Sequence, residues 1–209
     1  IDEYEKGLND YESAVLTDEE DYERYIEVYE NLAAYGYLNE ATGYLNRALE
    51  IDGNEAENYY YRGRIYLILD QEDVAETAFT KAYDKGMDEA GIYLARIYME
   101  QGNDESAREL ISVYTDSDKA PVYQRVLTGH MLLELGDYDE AIEVFKKAYE
   151  ELNDDVLNSD RSSAMQGLVT AYEYESEFEE AKSIAEEYVK DYPGDTQMMK
   201  ELEFIRTRV

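Results

Sequence analysis

The side chains that usually carry catalysis or bind metals are scarce in this chain. It has one histidine, His130, and no cysteine, which removes thiol nucleophiles, disulfides and zinc sites built from Cys and His. A nucleophilic triad or metal site needs partners that the sequence does not place near His130. That residue therefore reads as a partly buried helix histidine without a catalytic role. No G-x-S-x-G, G-x-G-x-x-G or phosphate-loop pattern occurs. Carboxylates are abundant instead: 51 Asp and Glu stand against 19 Lys and Arg, a net charge of −32. Any acid–base pair chosen from so many would be arbitrary. Asp154, Asp155 and Asp160 lie close in sequence, but the glycine and regular ligand spacing of a calcium loop are missing. They read as a solvated charge run. The expectation is a protein that is not an enzyme and carries no cofactor and no metal.

The same charge repels phosphate backbones and anionic lipid headgroups, so nucleic acid and bare membrane are poor partners. No apolar run approaches the roughly 18 residues that span a bilayer, so no direct membrane insertion is expected. The chain opens on Ile1 rather than an initiator methionine, which suggests that something upstream has been removed. On that ground an extracytoplasmic location, tethered through a lipid on the missing N-terminus, is favoured slightly over the cytoplasm. The 44% apolar content supports a core. With only Pro121 and Pro193 as helix breakers, the class reads as all-α.

The elements reveal themselves by repetition. Ala41/Leu45/Ala48, Ala75/Phe79/Ala82, Ala107/Ile111/Tyr114, Ala141/Phe145/Ala148 and Ala181/Ala185/Tyr188 share one helical spacing. The leading alanines are 34, 32, 34 and 40 residues apart, and the longer interval places an insertion in Glu150 to Arg161, read as a polar connector. A second apolar stripe precedes each alanine, as in Tyr59/Gly63/Tyr66 and Thr128/Gly129/Leu132, so each unit is two helices. Turns at Gly36, Gly102 and Gly136 separate them. Asp137 with Glu140, and Thr17 with Glu20, have the spacing of capping boxes. Small Gly63, Ala95 and Gly129 allow close helix approach, and tyrosines, 23 against 4 Phe and no Trp, fill the gaps with rings whose hydroxyls reach water or a carboxylate.

Tyr59-x2-Arg62-Gly63-x2-Tyr66 followed by Ala75-x3-Phe79 resembles the tetratricopeptide repeat, and Gly129 with Gly136-Asp137-Tyr138-Asp139-Glu140-Ala141 and Phe145 is its best copy. The resemblance runs from about Tyr22 to Pro193. It departs from the family in lacking the first-helix tryptophan, in keeping the closing proline only as Pro193, and in placing Tyr29 and Val169 where inner copies have glycine. It implies a right-handed superhelical solenoid of helix-turn-helix repeats. The repeats span about 22–55, 56–87, 88–121, 122–161 and 162–193, after a degenerate half-repeat over 1–21. A capping helix over 194–209 is read from the stripe Met198, Leu202, Ile205 and Val209.

Such arrays bind peptides or proteins in a concave groove lined by each first helix, and the resemblance implies that here. The lining follows from spacing: Glu30, Arg64, Arg96, His130 and Thr170 form a ladder, with Ile26, Tyr60, Ile92, Val126 and Gln166 one turn earlier. Tyr123 and Tyr174 add aromatic surface. The candidate groove residues are thus Tyr60, Arg64, Ile92, Arg96, Tyr123, Val126, His130 and Tyr174, suited to an acidic or carboxylate-bearing peptide through bidentate arginines. The competing reading is that Arg96 with Glu100, and Arg64 with Glu57 and Glu89, are internal ion pairs that leave the groove acidic. The expected function is a non-enzymatic protein-interaction scaffold; the alternative is a sensor for a glycan, cell-wall fragment or short peptide, motivated by Tyr60, Tyr123 and Tyr174.

Overall fold

The computed structural model describes residues 2–115, 120–152 and 159–209. Among them are twelve α-helices and no strands, so the class is all-α as expected. The helices are α1 (Asp2–Thr17), α2 (Tyr22–Ala34), α3 (Leu38–Leu49), α4 (Ala56–Ile68), α5 (Glu72–Asp84), α6 (Glu89–Glu100), α7 (Asp104–Thr115), α8 (Val122–Leu135), α9 (Tyr138–Glu151), α10 (Ser159–Tyr174), α11 (Phe178–Asp191) and α12 (Thr196–Ile205). They form two compact units, one ending at Ile97 and one beginning at Tyr98. Asp154 and Asp155 lie outside the described residues, as do Ile1 and the middle half of the expected connector, 153–158. The connector's last residue, Arg161, is helical and buried rather than a solvated linker residue.

One backbone device closes the helix pairs. The last turn of each first helix ends on a residue in the left-handed region: Gly36, Asp70, Gly102, Gly136 and Ser176, with φ from 58° to 85°. The amide after each then donates back to the carbonyl five residues earlier, at Leu32, Tyr66, Tyr98, Leu132 and Tyr172, over 2.7–2.9 Å. This is the six-to-one bond that satisfies an orphan helix carbonyl and turns the chain. Five residues after each left-handed position stands a leading alanine, and Ala41, Ala75, Ala107, Ala141 and Ala181 are all fully buried. The sequence period is therefore a period of backbone conformation as well as of packing.

In the first unit the core joins four helices: Val15 of α1; Tyr25, Val28 and Leu32 of α2; Ala41, Leu45 and Ala48 of α3; and Ile65 of α4. In the second, α8 packs on α9, α10 on both α8 and α9, and α11 on α10 and α12. The Phe145 ring is fully buried at the centre of this stack. A methyl group added at Gly129 or Gly167 would lie 2.6 or 2.2 Å from it. Only hydrogen on those two Cα atoms lets α8 and α10 close on one phenyl ring, and a larger side chain would have to displace packed atoms. Gly63 meets Phe79 in the same way at 2.7 Å. The sequence pointed to Gly63 and Gly129 but not to Gly167.

Both capping boxes read from sequence are corrected. Thr17 is the last residue of α1 and its hydroxyl bonds the Ser13 carbonyl; the cap of α2 is Asp21, which accepts the Arg24 amide at 3.2 Å. Asp137 does precede α9, but its carboxylate accepts the Arg108 Nε at 2.7 Å instead of capping. At the C-terminal end Asp195 caps α12 through the amides of Gln197 and Met198. Met198, Leu202 and Ile205 are buried, whereas Val209 lies past the helix and is half exposed.

Candidate functional site

In the second unit a cleft of about 720 Å³ opens between α8, α10 and the start of α12. Helix α8 contributes His130, Leu133 and Glu134. Helix α10 contributes Gln166, Val169, Thr170, Glu173 and Tyr174, and the α12 end contributes Asp195, Gln197, Met198 and Glu201. The three- and four-residue spacings within each helix put these side chains on one face. Val169 and Met198 are buried at its floor, while Thr170 and Tyr174 are exposed at its walls.

The floor is rigidly bonded. Gln166 Nε2 donates to the Tyr188 hydroxyl at 2.7 Å, and that hydroxyl donates to Asp195 Oδ2 at 2.9 Å. The amide of Met198, then Tyr188, hold the Asp195 carboxyl below its usual range, so it stays ionised. His130 Nε2 lies 2.8 Å from Ser163 Oγ, and its ring meets Phe145 edge to face at 5.0 Å. Burial lowers the His130 pKa against the opposing pull of Glu134, and the ring is neutral at pH 7.

Glu173 and Glu201 are the chemically unusual pair. Burial, then the charge of Glu201 and the hydrogen bond to it, push the Glu173 carboxyl up to about 7. Two carboxyls this close share a proton near neutral pH because both cannot ionise cheaply together. Beside them Tyr174 lies flat on Tyr138, with centroids 4.4 Å apart and planes 3° from parallel. Tyr174 is 63% exposed, so ring surface remains open to solvent. Among the described residues no Lys or Arg lines the cleft, and no group of three or more His, Asp or Glu is arranged to hold a metal ion. Among those residues no helix is long and apolar enough to cross a membrane.

Of the eight groove residues read from sequence, the cleft brings together His130 and Tyr174. Val126 is buried in α8, and Tyr123, at the start of that helix, is half exposed with its hydroxyl accepting from Gln124. In the first unit Ile92 is fully buried. Tyr60 is buried against Phe79 and Tyr93, at centroid distances of 6.2 and 5.7 Å, and so sits in an aromatic core. Arg64 packs over the Tyr60 and Tyr61 rings and pairs with Glu23 at 3.6 Å. Arg96 is half buried on α6. Sequence reasoning missed Glu173 and Glu201: they lie on helices far apart in the chain, and in so acidic a sequence nothing singles out one pair.

The comparisons with known proteins agree with this architecture. A family model described as anaphase-promoting complex, cyclosome, subunit 3 matches residues 69–148, and one described as tetratricopeptide repeat matches 132–202. Lipopolysaccharide assembly protein B of Escherichia coli strain K12 is 27% identical over 165 residues, 76% of this chain and 40% of that protein. The chain thus spans well under half the length of these relatives. Among solved structures, PilW, a widely conserved type IV pilus biogenesis factor, superposes with a TM-score of 0.70 at 15% identity, covering 95% of this chain and 90% of that one. YrrB, a TPR protein with an unusual peptide-binding site, gives 0.57 at 20% identity, covering 92% and 97%.

Proposed function

The chain belongs to the tetratricopeptide repeat family, and from that premise we propose that it is a non-enzymatic interaction scaffold holding a segment of a partner protein in the cleft of α8, α10 and α12. The observation that carries this reading is the cleft itself, about 720 Å³ walled by exposed polar and aromatic side chains. It is wide enough for a few residues of extended chain, and sites of this size bury most of a small ligand. Its floor is braced by the Gln166–Tyr188–Asp195 bonds, so little ordering cost falls on binding. The peptide-binding site named for YrrB lends support by analogy of fold. His130 and Tyr174 serve in this site, and Arg64 and Arg96 offer cationic contacts on the first unit. Tyr60 and Ile92 serve as packing inside the first unit and Val126 inside the second.

The test is a pull-down from native extract with the wild type and Thr170→Trp, which fills the cleft without changing charge. Partners retained by the wild type and lost by the variant are expected; identical partner sets remove the cleft from the proposal. A second reading, a sensor of a small glycan, cell-wall fragment or short peptide, takes its support from the open Tyr174 ring surface. Thermal-shift titration separates the two, since a small-ligand sensor shows concentration-dependent stabilisation by a free glycan or muropeptide.

A further inference from the structure

We infer that the segment held in this cleft is cationic, and that an arginine or lysine side chain enters between Glu173 and Glu201 with its stem along Tyr174. The inference rests on the cleft being the binding site and adds the chemistry of its occupant. It reverses the sign expected from the Arg64–Arg96 ladder.

Four carboxyl groups line the cleft, Glu134, Glu173, Asp195 and Glu201, and its described lining residues include no Lys or Arg. The His130 ring supplies no positive charge at neutral pH, because burial favours its uncharged form. Asp195 is committed to the cap of α12 and to Tyr188. Glu173 and Glu201 are not so committed: each has the other as its partner, and that bond needs a proton that neither carboxylate supplies when ionised. A guanidinium or ammonium placed between them donates to both oxygens, releases the shared proton to solvent and lets both carboxylates carry charge. The exposed Tyr174 ring, held by its stack on Tyr138, offers an apolar and quadrupolar surface to the alkyl stem and the cation.

Binding of a cation is thereby coupled to release of a proton. Besides Glu201, the titratable groups sharing the cleft with Glu173 are His130 and Glu134 from α8, Tyr174 from its own helix, and Asp195 ahead of α12. The Glu173 carboxyl, pushed up to about 7 beside Glu201, exchanges its proton in this range. With one such proton, the fraction ready to accept the cation rises from about 0.1 at pH 6 to about 0.9 at pH 8.

The experiment is fluorescence anisotropy at 0.15 M NaCl with capped Gly-Ser nonapeptides carrying three Arg, three Lys, three Glu or no charge. Four proteins are compared: wild type, Glu173→Gln/Glu201→Gln, Thr170→Trp, and the surface control Glu105→Gln/Glu109→Gln, which removes the same charge from exposed positions on α7. The expected result is that Arg and Lys peptides bind the wild type, weaken about tenfold from pH 8 to pH 6, and weaken at least tenfold on the cleft double variant. The surface control should stay within twofold and Thr170→Trp should also lose binding. Equal losses in the two double variants overturn the inference, because the attraction is then the general charge of the chain. Uncharged or acidic peptides that bind the wild type and are lost in Thr170→Trp overturn it while leaving the cleft as a binding site. No peptide sensitive to Thr170→Trp overturns both.

Discussion

At the scale of single residues, the protein sets chemically similar groups to different tasks by where it puts them. Asp195 meets two backbone amides and stays charged, whereas Glu173, half buried against another carboxyl, is pushed up to about 7. The folded state therefore binds this proton more tightly than the unfolded chain, where the glutamate titrates near its ordinary value. The contribution of Glu173 to stability is full below about pH 4.5 and is lost as the pH rises through about 7. Glu173→Gln is accordingly expected to raise the melting temperature more at pH 8 than at pH 5. Water reaches the half-exposed pair and screens it, so the gain at pH 8 is about 1 kcal/mol rather than the full value of the shift. Melting curves at the two pH values check this; an equal change at both would mean that the pair does not share a proton.

At the scale of elements, the closing turn of each helix pair carries the most information. Three of the five left-handed positions hold glycine, but Asp70 and Ser176 occupy the same region at φ 58° and 63°. Any side chain except glycine crowds the backbone there at roughly 1–2 kcal/mol, while glycine gives back about 0.5–1 kcal/mol through its freer unfolded chain. Ser176→Gly is expected to stabilise the protein by up to about 1 kcal/mol, read as a shift in the urea midpoint at unchanged slope. A loss of stability would show that the Ser176 side chain compensates its own strain. Asp70 is the better tolerated of the two, because short polar side chains visit this region more readily.

At the scale of the whole molecule, charge dominates. A net −32 on 209 residues opposes compaction, and screening falls from about 30 Å at 0.01 M salt to about 3 Å at 1 M. Adding NaCl over that range is expected to raise the melting temperature, by roughly 2–8 °C for about 1–2 kcal/mol of relieved repulsion. A flat response would show that local pairs such as Arg161 with Glu187 and Asp191 already balance the field. Much of the fold was legible in the chain because the spacing of alanines and turn glycines is local and repeats. Asp70 and Ser176 hid two of the turns by carrying unremarkable residue types, and Gly167 gave no sign of its phenyl partner on another helix. The site was less legible for a different reason. A ladder drawn by spacing alone assigned Tyr60, Ile92 and Val126 to a surface, but which side of a helix meets its neighbour is decided by packing. The Glu173–Glu201 encounter depends on two helices meeting at one edge. The six-to-one turn has a further consequence, since the backbone bond that closes each turn lies within six consecutive residues. Each hairpin is a self-contained cassette that can nucleate without waiting for distant chain. A gene that copies or drops one 34-residue block alters the length of the array without having to reinvent its joints.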